Sequence, residues 1–516
     1  MKPTIVMFLL TGTLLFSASQ DFVENQLIAR FDDKIDVETL QSDLTPMGLK
    51  PDRLLVRQMN IWRVVVDQSV YDSTPAALKI LQDYPHTIYA QLDHILAERI
   101  TPDDPEFDDQ WDFHNLGQTG GNEDADIDAP EAWEYTTGGG TALGDDIVVA
   151  VVDGGVNVNH PDLIDNIWVN ENEIPGNGID DDENGYIDDI NGWDAYGDDG
   201  TIPSHSHGTH VAGTIGARGN NGLNVAGVSW DVKIMAIAGS SSSTSVISIA
   251  YGYALDQKTL WLESGGDLGA NVVATNSSFG IDYADCSSGD YPLWDDLYDQ
   301  MGAVGILSAA ATINANIDVD LYGDVPTGCS SDFIIAVTNT NKYDQKNAGA
   351  GYGATTIDLG APGTGILSTD VSGTSYKTGT SMATPHVAGA VGLLHAAAPA
   401  GWAQYYRDDP AVAALEMKEL ILDSTDPLPT LTDITVSDGR LNLLNAVDAI
   451  TLNEILMGDV NQDEYVNVTD IVLLVNFILN AIEPSPSQFQ AADLDGNGEL
   501  SVLDIQLIIV IIVGPN

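Results

Sequence analysis

The segment VVAVVDGG at residues 148–155 places five apolar residues directly before a carboxylate and two glycines. A short run that is apolar at every position is typical of a strand buried on both faces, as in a parallel sheet covered by helices on either side. The two glycines permit a sharp turn, so Asp153 is expected at the carboxyl end of a central strand.

Further apolar runs repeat this pattern along the chain. Strands are predicted at residues 147–152, 232–237, 272–275, 306–309 and 333–337. Helices rich in small residues are predicted at residues 209–216, 246–255, 382–397 and 441–452. The alternation predicts an α/β domain over residues 101–453, with a mostly parallel sheet and helices on both of its faces.

The first hundred residues differ from this domain. Residues 1–19 combine Lys2, an apolar stretch and a small-residue SAS motif, which is typical of a secretory signal peptide. The apolar stretch is short for a membrane anchor. Residues 20–100 alternate strand-like and helix-like runs and predict a small α+β module, which ends at the proline-rich segment TPDDP at residues 101–105.

Two motifs of polar and small residues accompany Asp153. They are HGTHVAG at residues 207–213 and GTSMATPHVAG at residues 379–389. Taken singly, Asp153 suits a turn, the two histidines suit a metal site, and Ser381 suits a helix cap. No single motif therefore decides the function.

Together, the chain order Asp, His, Ser and the flanking residues resemble the subtilisin-like serine protease family, peptidase family S8, over most of the α/β domain. The resemblance implies a serine endopeptidase that hydrolyses peptide bonds through an acyl-enzyme. It implies Ser381 as nucleophile, His207 as general base and Asp153 as the group that orients the imidazole. It matches His210 to a second, non-catalytic histidine and assigns no role to His205.

The family also uses an asparagine after a strand to stabilise the oxyanion. The segment AATINAN at residues 310–316 makes Asn314 the better match, although Ile313 stands where the family has glycine. Asn316 is the alternative. The backbone N–H of Ser381 is the expected second donor.

Two segments rich in small and polar residues resemble the edges that bind peptide substrate as an added strand in this family. The residues implied to contact substrate are Ser240, Ser241, Asn276, Ser277, Ser278, Phe279 and Gly280. Plain surface loops are the alternative. Neither segment carries a charged side chain, so the sequence favours an uncharged pocket with an apolar or broad preference.

The resemblance gives residues 20–100 a role as well. Proteases of this family carry a pro-segment that assists folding and blocks the cleft until it is removed. The expected junction lies near residues 99–101.

Two acidic segments near the end of the chain are similar to each other. DVNQDEYVNVTD at residues 459–470 and DLDGNGELSVLD at residues 493–504 are related by a shift of 34 residues. Both place oxygen groups at loop positions 1, 3, 5, 9 and 12, and calcium takes about six to eight oxygen ligands. Calcium ligands are expected among Asp459, Asn461, Asp463, Tyr465, Asn467, Asp470, Asp493, Asp495, Asn497, Glu499, Ser501 and Asp504.

An apolar helical run follows each of these loops, and residues 458–516 resemble a type I dockerin domain. That resemblance implies Ca²⁺ as a cofactor and a cohesin-like partner protein. Partner choice in such domains is set late in each loop, near Val468, Thr469, Val502 and Leu503.

A third acidic segment, GIDDDENGYIDD at residues 178–189, lies between Asp153 and His207. A calcium ion there would brace the loop that carries the catalytic groups. A solvated acidic insertion is the alternative. The expected ligands are Asp180, Asp182, Asn184 and Asp188, and Asp104 and Asp162 match further positions at which the family often binds calcium.

The composition limits the classes of function. The chain has 516 residues and a formal net charge of −59, so it repels nucleic-acid phosphates and anionic membrane surfaces. Hydrophobic residues make up 44% of the chain, which favours a globular protein over a disordered acidic one. The two cysteines, Cys286 and Cys329, either form one disulfide in an exported protein or remain apart.

These features predict a secreted, monomeric, calcium-dependent protease that acts on protein or peptide substrates. It is free in the medium or attached to a cell surface or an extracellular complex, and it has no membrane span once the signal peptide is removed. A catalytically silent scaffold of the same fold, acting through the dockerin-like domain, is the alternative.

Overall fold

The computed structural model describes residues 22–32, 35, 37–71, 73–94, 100–241, 243–452, 457–461, 466–479, 484, 486–494 and 500–513. The predicted signal peptide at residues 1–19 and Arg99, at the expected junction, lie outside these residues. The chain divides into two compact units, residues 1–98 and 99–516, and each is described by itself.

The first unit is a four-stranded antiparallel sheet with two helices. Its elements are β1 (Phe22–Phe31), α1 (Val37–Leu44), β2 (Leu49–Val56), β3 (Ile61–Val66), α2 (Thr74–Gln82) and β4 (Thr87–His94). The strand order is β2-β3-β1-β4. Leu27, Ala29 and Phe31 of β1 are buried while Ile28 and Arg30 between them are half-buried, which is the period of a strand with one covered face.

The second unit is built on a ten-stranded sheet with two short two-stranded sheets beside it. Its strands are β5 (Val148–Asp153), β6 (Gly192–Asp194), β7 (Lys233–Ala238), β8 (Val272–Ser277), β9 (Ile281–Asp282), β10 (Leu307–Ala311), β11 (Asp324–Val325), β12 (Ile334–Asn341), β13 (Gln345–Lys346), β14 (Leu359–Pro362), β15 (Thr364–Thr369), β16 (Thr374–Thr378), β17 (Asp426–Pro427) and β18 (Gly439–Arg440).

The main sheet is mostly parallel, as predicted. The strand order is β17-β18-β14-β12-β10-β8-β5-β7-β6, and β13 pairs with β12. Neighbours from β18 to β6 run parallel, and only the short strands β17 and β13 pair antiparallel. The carboxyl ends of the central strands therefore meet at one edge of the sheet.

The helices of the second unit lie between these strands and after them. They are α3 (Ala129–Trp133), α4 (Ser206–Gly216), α5 (Thr244–Ser264), α6 (Pro292–Ala303), α7 (Val319–Tyr322), α8 (Thr380–Ala397), α9 (Ala400–Asp408), α10 (Pro410–Asp423), α11 (Leu443–Leu452), α12 (Val468–Ile478), α13 (Pro486–Ala492) and α14 (Val502–Val513).

Alternate residues of β5 enter two cores on opposite faces of the sheet. Val149 and Val151 pack in the core formed with α4, α8 and α11. Val148, Ala150 and Val152 pack in the core formed with α5 and α6. All six residues of β5 are buried, and each buried valine contributes about 1.5–3 kcal/mol of hydrophobic stabilisation. This two-sided burial explains why the strand is apolar at every position before Asp153.

Cys286 and Cys329 form a disulfide, so the alternative of separate thiols is wrong. The bond joins the segment that follows β9 to the segment that follows β11, and these two strands pair with each other. The disulfide and the strand pair thus hold the same two connections together.

Near the end of the chain, α12 and α14 share a small apolar core of their own. Its buried members are Val460, Leu474, Phe477, Ala492 and Ile508. Among the residues that the structure describes, no helix is both long and apolar enough to cross a lipid bilayer.

Candidate active site

The structure brings Asp153 and His207 into direct contact. Asp153 ends β5 and is 1% exposed, and His207 is the second residue of α4. The distance between His207 Nδ1 and Asp153 Oδ2 is 2.7 Å, so the ring donates an Nδ1–H hydrogen bond to the carboxylate. The close approach depends on Gly208, because a Cβ at that position would lie 2.9 Å from Asp153 Cβ.

Asp153 remains ionised in this setting. Burial by itself raises the pKa of a carboxyl group, but hydrogen bonds from His205 and His207 and from the Gly154 N–H outweigh it. The pKa of Asp153 is therefore below its ordinary value. An ionised carboxylate fixes the tautomer of His207 in which Nε2 is free to accept a proton.

Ser381 lies at the start of α8 without capping it. The N-cap is Gly379, and Ser381 is the second residue of the helix. Ser381 Oγ donates to the Ser278 carbonyl at 3.3 Å, and Ser278 Oγ donates to the Ser381 carbonyl at 3.0 Å. In the part of the chain that the structure describes, no hydrogen bond joins Ser381 Oγ to His207, and such catalytic contacts often close only when substrate binds.

Asn314 lies beside the start of the same helix. Its Oδ1 accepts the Thr380 N–H at 3.0 Å and the Thr380 hydroxyl at 3.2 Å, and its side chain is exposed. Because Oδ1 is engaged in this way, the two Nδ2 hydrogens remain available to a bound molecule. Asn316 instead accepts a hydrogen bond from Lys346 Nζ at 3.1 Å, so the structure favours Asn314 over this alternative.

Asp324 is a contributor that the sequence analysis missed. Its Oδ2 accepts the N–H of Ile313 at 2.9 Å and the hydroxyl of Thr327 at 2.6 Å, which holds the segment leading to Asn314. Burial raises the pKa of Asp324 to about 7, with hydrogen bonds from Thr327 and Ile313 opposing the shift. A Cβ on Gly280 would lie 3.6 Å from Asp324 Oδ1, so this buried carboxyl group lies behind the predicted substrate segment, and the uncharged pocket stays a prediction.

The predicted substrate-binding residues divide into two groups. Ser278 is 7% exposed and exchanges hydrogen bonds with Ser381, whereas Phe279 and Ser240 are half-buried and Gly280 and Ser241 are exposed. The predictions for Asn276 and Ser277 are wrong as substrate contacts, because both side chains are fully buried. Asn276 Nδ2 donates to Ser278 Oγ at 2.9 Å, and Ser277 Oγ bonds Tyr251 Oη at 2.6 Å. Asn276 thus supports Ser278 from its buried side, and Ser277 joins β8 to α5.

Comparison with known proteins gives the family. A model of the subtilase family matches residues 144–445, which is more than half of the chain. The chain belongs to the subtilase family. A model of the dockerin type I domain matches residues 457–512, so this subtilase carries a dockerin domain at its C-terminal side.

Several curated relatives of this subtilase are proteases. An extracellular protease of Xanthomonas campestris pv. campestris is 32% identical over 342 residues, which cover 61% of this chain and 53% of that protein. Subtilisin-like protease 1 of Plasmodium falciparum is 29% identical over 333 residues, which cover 58% of this chain and 43% of that protein. The subtilase thus spans about half the length of these two relatives. Thermitase of Thermoactinomyces vulgaris is 32% identical over 276 residues, which cover 52% of this chain and 79% of thermitase.

Solved structures of similar proteins include a protease from Pseudoalteromonas arctica. It is 25% identical, with a TM-score of 0.48 over 68% of this subtilase and 100% of that chain.

The acidic loop of this subtilase gathers three carboxylates, but not the set that the sequence predicts. One oxygen each of Glu173, Asp180 and Asp182 lies within 4.8 Å of the others. Asn184 donates its backbone N–H to Asp180 and Asp182. Asp188 is not a member of this cluster, and its carboxylate accepts the N–H groups of residues 177 and 178, so its role as a ligand stays a prediction. Glu173 takes part instead.

Asp104 and Asp162 lie close to one loop at residues 219–225. Asp104 accepts the N–H of Asn220 at 2.6 Å, and Asp162 Oδ2 accepts the side-chain amide of Asn224 at 3.0 Å. Burial raises the pKa of Asp104. The two carboxylates thus order this loop through hydrogen bonds.

The two dockerin loops have matching geometry where the structure describes them. Asp470 accepts the N–H groups of Asn461 and Asn467 at 3.0 and 2.7 Å. Asp504 accepts the N–H groups of Leu494 and Ser501 at 3.0 and 2.8 Å. Asp470 and Asp504 are fully buried, whereas Asp459 and Asp493 begin the loops. The predicted ligands Asp463, Tyr465, Asp495, Asn497 and Glu499 lie outside the described residues.

Proposed function

We propose that this subtilase is a secreted serine endopeptidase with Asp153, His207 and Ser381 as its catalytic triad. The 2.7 Å contact between His207 Nδ1 and Asp153 Oδ2, at the carboxyl end of a buried strand, carries the proposal. Ser381 adds support because its hydroxyl is not used as a helix cap and lies at a helix N-terminus, where the helix field favours a developing negative charge.

The reaction starts when Ser381 Oγ leaves the Ser278 carbonyl and attacks the carbonyl carbon of the substrate peptide bond. The hydroxyl proton passes to His207 Nε2, while Asp153 stabilises the imidazolium through Nδ1. His207 then gives the proton to the departing amine as the C–N bond breaks, which leaves an ester on Ser381. Water deprotonated by His207 cleaves that ester by the same steps and restores the free hydroxyl.

The tetrahedral intermediate requires donors for its oxyanion. Asn314 Nδ2 and the backbone N–H of Ser381 take this role, with Asn314 held in place by Thr380. Removal of one such donor costs about 2.7–4 kcal/mol of transition-state stabilisation. Asp324 supports the donor indirectly, since it fixes the Ile313 N–H one residue before Asn314.

Calcium binding is the second part of the proposal. Opposite ligands of a calcium ion lie about 5 Å apart, so the spacing of Glu173, Asp180 and Asp182 fits the ion. The matched, buried positions of Asp470 and Asp504 support one ion in each dockerin loop. Bound calcium neutralises the clustered carboxylates and stabilises their loops, and it takes no part in the bond cleavage.

The first unit has the size and position of a pro-segment, and we propose that role for residues 20–100. Its own four-stranded sheet and apolar core support a domain that folds as a unit. The signal-like residues 1–19 support export. N-terminal sequencing of the secreted protein identifies both cleavage points, and a mature protein that still begins near residue 20 contradicts the pro-segment role.

A cohesin-like partner is the third part of the proposal. The positions late in each dockerin loop are exposed and apolar: Val468 is 64% exposed, Val502 is 63% exposed and Leu503 is 49% exposed. Exposed apolar side chains at equivalent places in a duplicated motif suit a protein interface. A pull-down in calcium and in chelator tests this, and capture that is the same in both contradicts a calcium-dependent interface.

The activity is tested by incubating purified mature protein with an unstructured protein substrate. The proposal predicts internal cleavage that stops after treatment with a serine-directed phosphonate. The alternative, a silent scaffold acting through the dockerin domain, predicts no cleavage beyond that of the Ser381→Ala variant.

A further inference from the structure

The Asp153 carboxylate contacts a second histidine besides His207. His205 Nδ1 lies 3.4 Å from Asp153 Oδ1, while His207 Nδ1 lies 2.7 Å from Oδ2. The two imidazoles therefore take different oxygens of one buried carboxylate. Their ring centroids are 6.5 Å apart, so a charge on one ring is felt by the other.

Gly154 makes room for the His205 ring. A Cβ at residue 154 would lie 2.8 Å from His205 Nδ1 and 2.9 Å from its Cε1, closer than such atoms approach in proteins. The His205 side chain is 51% exposed, so protons and buffer reach it freely, in contrast to the Asp153 side chain at 2%. The ring is thus placed against the turn after β5 while it stays open to solvent.

Four ionisable groups surround or influence His205. Asp153 faces it directly and His207 follows two residues later in the chain, while Lys377 of β16 donates to Ser206 at 3.0 Å and pairs with Asp370 at 2.8 Å. The hydrogen bond to Asp153 raises the pKa of His205 above its ordinary value, and burial and Lys377 oppose that shift. His205 is therefore largely protonated in mildly acidic solution.

We propose that His205 is a positioning residue of this protease, which contacts the Asp153 oxygen that His207 does not use and, when protonated, extends activity to lower pH. The inference rests on the proposed triad. A protonated His205 shares the charge of Asp153 and repels a proton on His207. The neutral His207 imidazole, which is the form that accepts the serine proton, then persists at a pH where it would otherwise be lost.

The test compares the pH dependence of kcat/KM for the wild type, His205→Gln and His205→Ala. Gln keeps a hydrogen-bond donor but carries no charge, and Ala removes both. His114→Gln is a matched control, since His114 is a half-buried histidine in the loop at residues 114–118. We expect the acidic limb to move to higher pH by roughly half a unit to one unit in both His205 variants, with less movement in high salt.

The alkaline plateau is expected to stay near the wild-type value in His205→Gln, and the control is expected to overlay the wild type. Profiles of the His205 variants that share the wild-type midpoint overturn the proposal, including the case in which activity falls equally at every pH. That last result indicates a role in packing alone.

An NMR experiment tests the contact between His205 and Asp153 independently of proteolytic activity. In the inactive Ser381→Ala protein, histidine ring signals are followed by NMR against pH, with His205 assigned by its loss in His205→Gln. We expect the His205 midpoint to fall when Asp153→Asn is added. An unchanged midpoint overturns the coupling, whereas absence of proteolysis in the wild type with this coupling intact overturns the proposed enzyme function alone.

Discussion

His207 Nδ1 and Asp153 Oδ2 are 2.7 Å apart, although their residues are separated by 54 positions in the chain. The strand end and the helix start that carry them are held together by the close approach of Gly208 to Asp153. Asp153 is buried and its pKa is below the ordinary value, because the hydrogen bonds from His205 and His207 outweigh the effect of burial. The contact therefore supplies a fixed negative charge behind an accessible imidazole.

Replacing Asp153 by Asn tests the value of that charge. The amide is nearly isosteric, but it allows the wrong tautomer of His207 and cannot stabilise the imidazolium. We expect kcat to fall by about 10⁴-fold with little change in KM. Steady-state kinetics measure both values, and a thermal unfolding curve confirms that the variant is folded. A loss of less than tenfold contradicts the assignment of Asp153.

Asn314 and Asn316 form a natural pair of test and control. Asn314 accepts a hydrogen bond from Thr380 at the start of α8, whereas Asn316 accepts one from Lys346. We expect Asn314→Ala to lower kcat by about 10²–10³-fold, since an oxyanion donor is lost, and Asn316→Ala to leave it within twofold. Equal effects of the two substitutions contradict the proposed donor.

Two aspartates of the acidic loop form a second pair of test and control, here for calcium binding. Asp182 belongs to the carboxylate cluster, whereas Asp188 bonds backbone N–H groups at residues 177 and 178. In the Ser381→Ala background, which prevents self-digestion, chelation should lower Tm by roughly 5 °C if bound calcium adds about 2.7 kcal/mol. We expect Asp182→Asn to reduce this response and Asp188→Asn to keep it.

A second pair of substitutions distinguishes calcium bound at the acidic loop from calcium bound in the dockerin domain. Asp470→Asn with Asp504→Asn should remove calcium-dependent partner binding while the response assigned to Asp182 remains. Calcium titration by calorimetry gives the number of sites directly, and a protein that binds no calcium contradicts this part of the account.

His210 should make the folded protein sensitive to acid. It is fully buried, and its Nε2 contacts the carbonyls of Ile366 and Ser375 at 3.1 and 3.0 Å. Burial lowers the pKa of His210 to about 4 from 6.5. Between pH 6.5 and pH 4 the unfolded chain therefore binds a proton at His210 that the folded protein does not bind. The free energy of unfolding falls as pH falls through this range. The loss reaches roughly 3 kcal/mol from this group.

Denaturant unfolding of the Ser381→Ala protein at several pH values measures this effect. His210→Gln keeps a donor for the two carbonyl groups but does not titrate, so it should flatten the decline below pH 6.5. A decline parallel to that of the parent protein contradicts the role of His210.

The sequence was sufficient for the central strands and for residues with strong local patterns. The all-apolar run before Asp153 identifies β5, and the spacing of small residues identifies α4 and α8. Helix α6 was not predicted, although its buried residues Trp294, Tyr298 and Met301 keep helical spacing. Three interspersed aspartates, Asp295, Asp296 and Asp299, obscure that apolar face in the sequence.

Some residues of the site could not be predicted from the sequence, because tertiary contacts bring them to it. Glu173 joins Asp180 and Asp182 from outside the acidic segment at residues 178–189, and Asp324 reaches Ile313 across 11 positions. Asn276 and Ser277 show the converse, because their types suit substrate contacts but their side chains are buried. The local sequence does not indicate which side chains at the end of a strand point towards a bound substrate and which point into the core.

The most direct measurement of the central claim is covalent labelling of Ser381. The mature protein is treated with a serine-directed phosphonate, and the adduct is located by mass spectrometry, with Ser381→Ala and His207→Ala as controls. The account predicts one adduct, on Ser381, that is absent in Ser381→Ala and strongly slowed in His207→Ala. A folded wild-type protein that acquires no adduct on Ser381 contradicts the account.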